Sequence, residues 1–125
     1  MLADLADSVP QTRHVIVLSS DGLKMAQHST QTDTADRLAA ACAGLQSLAA
    51  AVASELPSGS GKMRMLVIEM DGGFFYLMAA GAGAYLAVLA NDGVDAGLMG
   101  QRMRDLVLRI GEHLNSPPRH DVHAT

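Results

Sequence analysis

The chain has 125 residues, 49% hydrophobic and 18% charged, with a net charge of −4 at pH 7. That composition is globular and sized for one domain whose core needs no staples, and the acidic balance argues against a general nucleic-acid binder, which shows a basic excess. The single cysteine, Cys42, excludes an internal disulfide and suits a reducing cytoplasm. Aromatic residues are only 3% of the chain and Trp is absent, so the core is expected to be aliphatic and filled by the eight methionines. The N-terminal MLADLADSVP carries acidic residues where a signal peptide needs basic ones. No apolar run reaches the ~18 residues of a membrane span. The longest, Phe74–Ala90, is interrupted by Gly81 and Gly83. The protein is therefore expected to be soluble and cytoplasmic, with no direct membrane insertion.

In chain order, Leu2–Ser8 reads as a short helix with Leu2, Leu5 and Ala6 on one face, stopped by Pro10. Arg13–Ser19 is a β-branched run suited to a central strand. The Ser20-Asp21-Gly22 turn leads into Leu23–His28, an edge-like strand that alternates Leu23, Met25 and Gln27 against Lys24, Ala26 and His28. Asp33 and Asp36 make a capping-box-like start to a long helix, Asp33–Leu56. After the Pro57–Gly61 loop come three strands, Lys62–Met70, Phe74–Ala80 and Tyr85–Ala90. Their short turns force an antiparallel meander. These strands are apolar on both faces and need helices on each side. A last helix, Asp95–Leu114, buries Met99, Met103, Leu106, Val107, Ile110 and Leu114. Asn115-Ser116-Pro117-Pro118 stops it, leaving Arg119–Thr125 as a polar tail. The predicted order is α-β-β-α-β-β-β-α, a five-stranded antiparallel sheet with the middle helix on one face and the terminal helices on the other.

The alanine-rich middle helix has two faces. Leu38, Cys42, Leu45, Ala49, Val52 and Leu56 form an apolar stripe at about 100° per residue, assigned to the protein's own sheet. The opposite side carries Asp36, Ala40, Ala43, Ser47, Ala50, Ala51 and Ser54, nearly all small. A small-residue face admits the close approach of a second backbone. Equally, Ala is the best helix former and costs little in water. The helix alone leaves both readings open.

Chemistry-bearing motifs are weak. Gly59-Ser60-Gly61-Lys62 lacks the earlier Gly and the following Ser or Thr of a phosphate loop, and sits between helix and strand in the wrong order. Gly81-Ala82-Gly83 joins two strands and lacks the third glycine of a dinucleotide fingerprint. Cys42 lies on the buried stripe, where cysteine is an inert small hydrophobe. His113, His120 and His123 have no acidic or thiol partner at metal-ligand spacing, and His14 and His28 have no nucleophile arranged near them. Arg102, Asp105, Arg109 and Glu112 read as a solvated, salt-bridged helix face. No nucleophile, base and oxyanion site assembles, so no enzyme, cofactor or metal site is expected.

The segments VPQTRHVIVLSSDGLKMA, TADRLAAACAGLQSLAAAV and VIEMDGGFFYLMAAGAGAYLAVLA together resemble the Roadblock/dynein-light-chain domain, over about Leu2–Leu114. They are most similar to the actinobacterial form encoded in operons beside a sensor kinase and a small Ras-like GTPase. The resemblance implies a profilin-like α/β sandwich over residues 1–114, with 115–125 a flexible tail. It also implies a non-catalytic homodimer in which the middle helices pair and the sheets join through the first meander strand. The interface positions are then Asp36, Ala40, Ala43, Ser47, Ala50 and Ser54 on the helix, and Met63, Met65 and Val67 on the strand. The implied partners are a second copy, a small Ras-like GTPase whose nucleotide cycle the dimer regulates as an adaptor or in the manner of a GTPase-activating partner, and a sensor kinase or other operon products. These would recruit it to the membrane. Arg37, Gly44, Gln46 and Glu55 are assigned as GTPase contacts. The alternative is a small-molecule or signal-sensing module, which calls for a pocket with inward polar groups; the meander offers only the Tyr76 and Tyr85 hydroxyls.

Overall fold

The computed structural model describes residues 2–28, 31–57, 59, 62–81 and 83–115, the last three as backbone. The expected tail, with His120 and His123, and the His113 side chain lie outside the described residues. The elements are α1 (Leu2–Ser8), β1 (Thr12–Ser19), β2 (Lys24–His28), α2 (Thr32–Ala53), β3 (Met65–Met70), β4 (Gly73–Ala79), β5 (Ala84–Asn91) and α3 (Ala96–Asn115). The expected order holds, and the five strands form one sheet in the order β2-β1-β5-β4-β3. Every pairing is antiparallel.

The strand pleat explains why both faces must be covered. On one face Val15, Val17, Tyr76, Met78, Leu86 and Val88 form a core with Leu2 and Leu5 of α1 and Met99, Met103, Leu106 and Ile110 of α3. On the other, Ile16, Leu18, Phe75, Leu77 and Ala87 meet Ala35, Ala39 and Cys42 of α2. Alternate residues of single strands thus belong to two different cores. Each fully buried side chain of Leu or Phe size contributes roughly 1.5–3 kcal/mol of transfer free energy. The aromatic content is concentrated in β4, where the Phe74 and Tyr76 rings stack with centroids 6.0 Å apart.

Turn chemistry sets the register. Met70 pairs with Gly73, so Asp71-Gly72 is a two-residue hairpin loop, with Gly72 at φ +96°. Gly73 itself tolerates no side chain: a Cβ there would lie 2.0 Å from the carbonyl oxygen of Ala90. Before β1, Pro10-Gln11 turns the chain with Gln11 at φ +78°. Its carbonyl accepts from the Asn91 N–H at 2.8 Å, and its side-chain oxygen accepts from Asn91 Nδ2 at 3.2 Å.

Three local expectations are corrected. No side chain caps α2: the N-cap is Gln31, without a side-chain hydrogen bond, and Asp33 lies in the first turn. The strict alternation expected for Leu23–His28 breaks, because the register shifts at Val17/Leu18 and leaves Met25 as an extra residue. Lys24 and Gln27 consequently share the α2 face, opposite Leu18 and Ile16. α2 ends at Ala53, short of the expected Leu56, and its apolar stripe fails toward that end, where Val52 is 71% and, beyond the helix, Leu56 63% exposed.

The geometry explains that last failure. β2 ends at His28 and α2 starts at Thr32, so the helix begins at the far end of β2 and runs back along it. It reaches the β1–β2 turn by its middle: a Cβ on Gly22 would sit 3.0 Å from Ala43 Cβ and 3.4 Å from the Ala39 carbonyl oxygen. The remaining ten residues or so, about 15 Å of helix, run past that turn.

Candidate functional site

β3 is where the fold leaves apolar surface unfinished. Its residues, Met-Leu-Val-Ile-Glu-Met, include none that is buried, although five of the six are large hydrophobics. Three causes combine. β3 is an edge strand, bonded to β4 alone. On one face α1 packs on β1 and β2 while α3 lies over β4 and β5; on the other, α2 lies over β1 and β2. The result is a flat, apolar strand with one row of unpaired backbone groups, Val67 48% and Met70 44% exposed.

The two sheet edges are built differently. β2 is five residues long, carries Lys24 and contains the irregularity at Met25. Those are devices that blunt an edge against strand addition. β3 pairs with β4 in unbroken register from Met65↔Met78 to Met70↔Gly73, with no bulge, no proline and no lysine. It is open to another strand.

α2 adds a second apolar surface. Its buried line is Ala35, Ala39 and Cys42, all small, so the helix lies close to the sheet. Leu38 and Leu45 pack partway into that core beside Met63, Leu66, Ile68, Tyr85 and Leu89. Further along the same flank, Leu48 is 67% exposed, matching the exposure of Val52. The Ala43 flank meets Gly22 in the β1–β2 turn. The leucine flank, on the other side of the buried line, is therefore the one that faces β4 and β3.

The residues singled out from sequence divide accordingly. Asp36, Ala40, Ser47, Ala50 and Ser54 are exposed, and Ala43 is half-buried against its own turn. Met65 is half-buried and Val67 exposed on β3, while Met63 precedes the strand and is half-buried in the α2 core. Arg37 is exposed and donates to Thr34 Oγ1 at 3.2 Å. Glu55 and Gly44 are exposed, but Gln46 is half-buried with its Nε2 enclosed and without a hydrogen-bond partner among the described residues. Sequence reasoning missed Leu48 and Met70. The signal for Leu48 was its place one turn before Val52, off the stripe drawn through Leu45 and Ala49.

Nothing catalytic assembles among the described residues. No group of three His, Cys, Asp or Glu among them is placed to hold a metal ion. Burial pushes the Cys42 thiol up to about 11, which keeps it protonated and unreactive. The Tyr76 hydroxyl is raised by the same cause. Among the described residues no polar or charged side chain is buried apart from that hydroxyl-bearing tyrosine. Arg102, Asp105 and Arg109, expected on a solvated face, line the groove between α3 and α1 together with Asp4 and Ser8. Among the described residues no helix is long and apolar enough to cross a membrane.

The fold is a profilin-like sandwich with an open third edge strand and a small-residue helix on one face. Residues 1–90 match the Roadblock/LC7 domain, and the chain belongs to that family. It is similar to the Roadblock/LC7 domain of Streptomyces avermitilis, with 34% identity and a TM-score of 0.85 over 92% of this chain and 95% of that one. The fold is shared with MglB of Myxococcus xanthus, at 16% identity and a TM-score of 0.81 over 91% of each chain. It is shared too with the gliding protein MglB of Thermus thermophilus, at 22% identity and a TM-score of 0.75 over 90% and 86%. No curated protein matches the chain.

Proposed function

We propose that the protein is a non-catalytic homodimeric platform that binds a small Ras-like GTPase and modulates its nucleotide cycle, with residues 1–114 as its single domain. The observation that carries the dimer is β3: an edge strand in unbroken register, apolar but for Glu69, with no residue fully buried. Pairing β3 with its copy continues the sheet into ten strands and satisfies the open row of N–H and C=O groups. It also brings Leu66, Ile68 and Met70 of each copy beneath the overhanging leucine flank of α2. A strand alone buries too little for a stable dimer, which needs roughly 800 Å² per partner; Leu45, Leu48 and Val52 supply the rest. The family resemblance implies that the two α2 helices of such a dimer form a shared surface. Arg37, Gly44 and Glu55, exposed on α2, are the positions from which a GTPase would be held.

The likeness to MglB shows the fold, and an MglB is described with a tetrameric arrangement. The GTPase as partner rests on the family resemblance of the hairpin, helix and meander segments. The test is direct. The protein is mixed with the Ras-like GTPase encoded beside it, loaded with GTP or GDP, and complex formation and hydrolysis are measured. Binding in at least one nucleotide state is expected, and absence of a complex in both defeats the reading.

A further inference from the structure

At the end of the sheet where β3 begins, beside the β4–β5 turn, lies a cleft of about 390 Å³. Lys62, Arg64, Tyr85 and the turn glycines Gly81 and Gly83 line it. The backbone there is held in place. The Arg64 carbonyl accepts from the Ala79 N–H at 2.9 Å, so the approach to β3 is already fixed on β4. In the turn, the Gly81 carbonyl accepts from the Ala84 N–H and the Gly83 carbonyl from the Ser20 N–H, both at 2.8 Å. The N–H groups of these two glycines donate to no described backbone group. Lys62, Arg64 and Tyr85 make no side-chain hydrogen bond or ion pair with another described residue. The groups left over around the cleft are therefore donors. Among the described residues no carboxylate lines it, although the chain carries a net charge of −4. Cations in other clefts have acids beside them. Asp4 and Asp105 accompany Arg102 and Arg109 between α1 and α3, and Asp71 accompanies Arg13 at the opposite end of the sheet.

We propose that this cleft binds a phosphomonoester, whose oxygens accept from Lys62, Arg64 and the Tyr85 hydroxyl. With a second pKa of about 6, a phosphomonoester is close to doubly charged at pH 7, which matches two cations that have no acid of their own. Its charged oxygens are acceptors, as a site made of donors requires. Arg64 can fork onto two of them while Lys62 acts as a point charge. A carboxylate ligand, singly charged, would leave one cation unmatched. The cleft is larger than a bare phosphate, and Met63 and Tyr85, both half-buried at its edge, offer apolar surface to the esterified body. This is a different construction from the phosphate loop excluded for Gly59-Ser60-Gly61-Lys62, because no helix N-terminus lines the cleft and its cations come from the extended approach to β3. The ester is held as a ligand, with no bond made or broken. All the groups involved belong to one chain, so binding does not require the dimer.

The experiment titrates the full, isotope-labelled chain with phenyl phosphate, and with methyl phenyl phosphate, the singly charged diester, as control. Amide resonances of Gly81, Gly83 and Tyr85 are expected to shift saturably with phenyl phosphate, at one ligand per chain. The diester should bind about tenfold more weakly. Lys62→Gln and Arg64→Gln should each weaken phenyl phosphate binding about tenfold. Both side chains are exposed, so the thermal midpoint of each variant should match that of the parent. Arg13→Gln, at the other end of the sheet, should leave binding unchanged. Sedimentation with phosphatidylcholine vesicles that carry phosphatidic acid, itself a phosphomonoester, separates the two sources of the group. Co-sedimentation that Lys62→Gln removes assigns the cleft to a lipid headgroup. Phenyl phosphate binding without co-sedimentation assigns it to a soluble ester. Equal affinity for monoester and diester, shifts that map away from the β4–β5 turn, or phenyl phosphate binding unaffected by Lys62→Gln overturns the proposal. So does the absence of both a saturable shift and Lys62-dependent co-sedimentation.

Discussion

Gly73 occupies the one position in the sheet where a single methyl group cannot be placed. With a Cβ 2.0 Å from the Ala90 carbonyl oxygen, Gly73→Ala must push β4 from β5 at the hairpin. A loss of about 2–4 kcal/mol is expected in chemical denaturation. Tyr76 gives the opposite sign. Its ring is core, yet its hydroxyl is buried with no hydrogen-bond partner among the described residues. Tyr76→Phe should therefore raise stability by about 1 kcal/mol, read as a higher midpoint with unchanged denaturant slope. Cys42 predicts a pH dependence. Its thiol rises on folding from the ordinary 9.0 to about 11, so the folded state holds its proton longer than the unfolded state. Stability from this group is intact below pH 9 and falls as pH rises from 9 to 11, by on the order of 2 kcal/mol. Cys42→Ala should flatten the stability profile between pH 9 and 10, before the raised Tyr76 hydroxyl makes its own contribution of the same sign.

At the scale of elements, α2 separates two mutational outcomes. Leu48→Asp and Val52→Asp alter side chains 67% and 71% exposed, so the folded monomer should keep its midpoint at low concentration while the dimer dissociates in sedimentation. Ala43→Arg instead meets Gly22 and should destabilise the monomer itself, by about 1–3 kcal/mol from overpacking. Ala50→Arg, exposed on the alanine side, should leave dimer and midpoint unchanged if the leucine flank is the contact. Sequence was informative wherever local chemistry decides the structure. The β-branched run at Val15–Leu18, the Asp21-Gly22 and Asp71-Gly72 turns and the two-sided meander specify strands and pairing in that way, and the three helical patterns complete the eight elements. What periodicity could not give was the rotation of α2 about its axis. Its largest side chains mark the line through Leu38, Leu45 and Val52, but small residues allow closer packing, so the helix buries Ala35, Ala39 and Cys42 and turns the leucines sideways. The bulge at Met25 was equally hidden, being set by pairing with β1 rather than by anything within β2.

At the scale of the molecule, the sheet is asymmetric: one edge is irregular and lysine-bearing, the other regular and, but for Glu69, apolar. In the proposed dimer, that asymmetry directs association to one side and favours a closed pair over an open fibre. The strand order has a further consequence, in time rather than in space. β1 lies between β2 and β5, pairing Thr12 with Ala90 and Ser19 with Ala84, so the centre of the sheet is closed by residues roughly seventy positions apart. The β3–β4–β5 meander and the β1–β2 hairpin need only short loops and can form early, while the pairing of β1 with β5 must wait for β5 to be synthesised. During refolding, pulsed hydrogen exchange should find the β3–β4 amides protected before the β1 amides that bond to β5. Protection of those β1 amides first, or of all strands at once, would contradict this order. A nascent chain halted before β5 thus leaves open the β1 margin of its first hairpin, which the finished sheet covers.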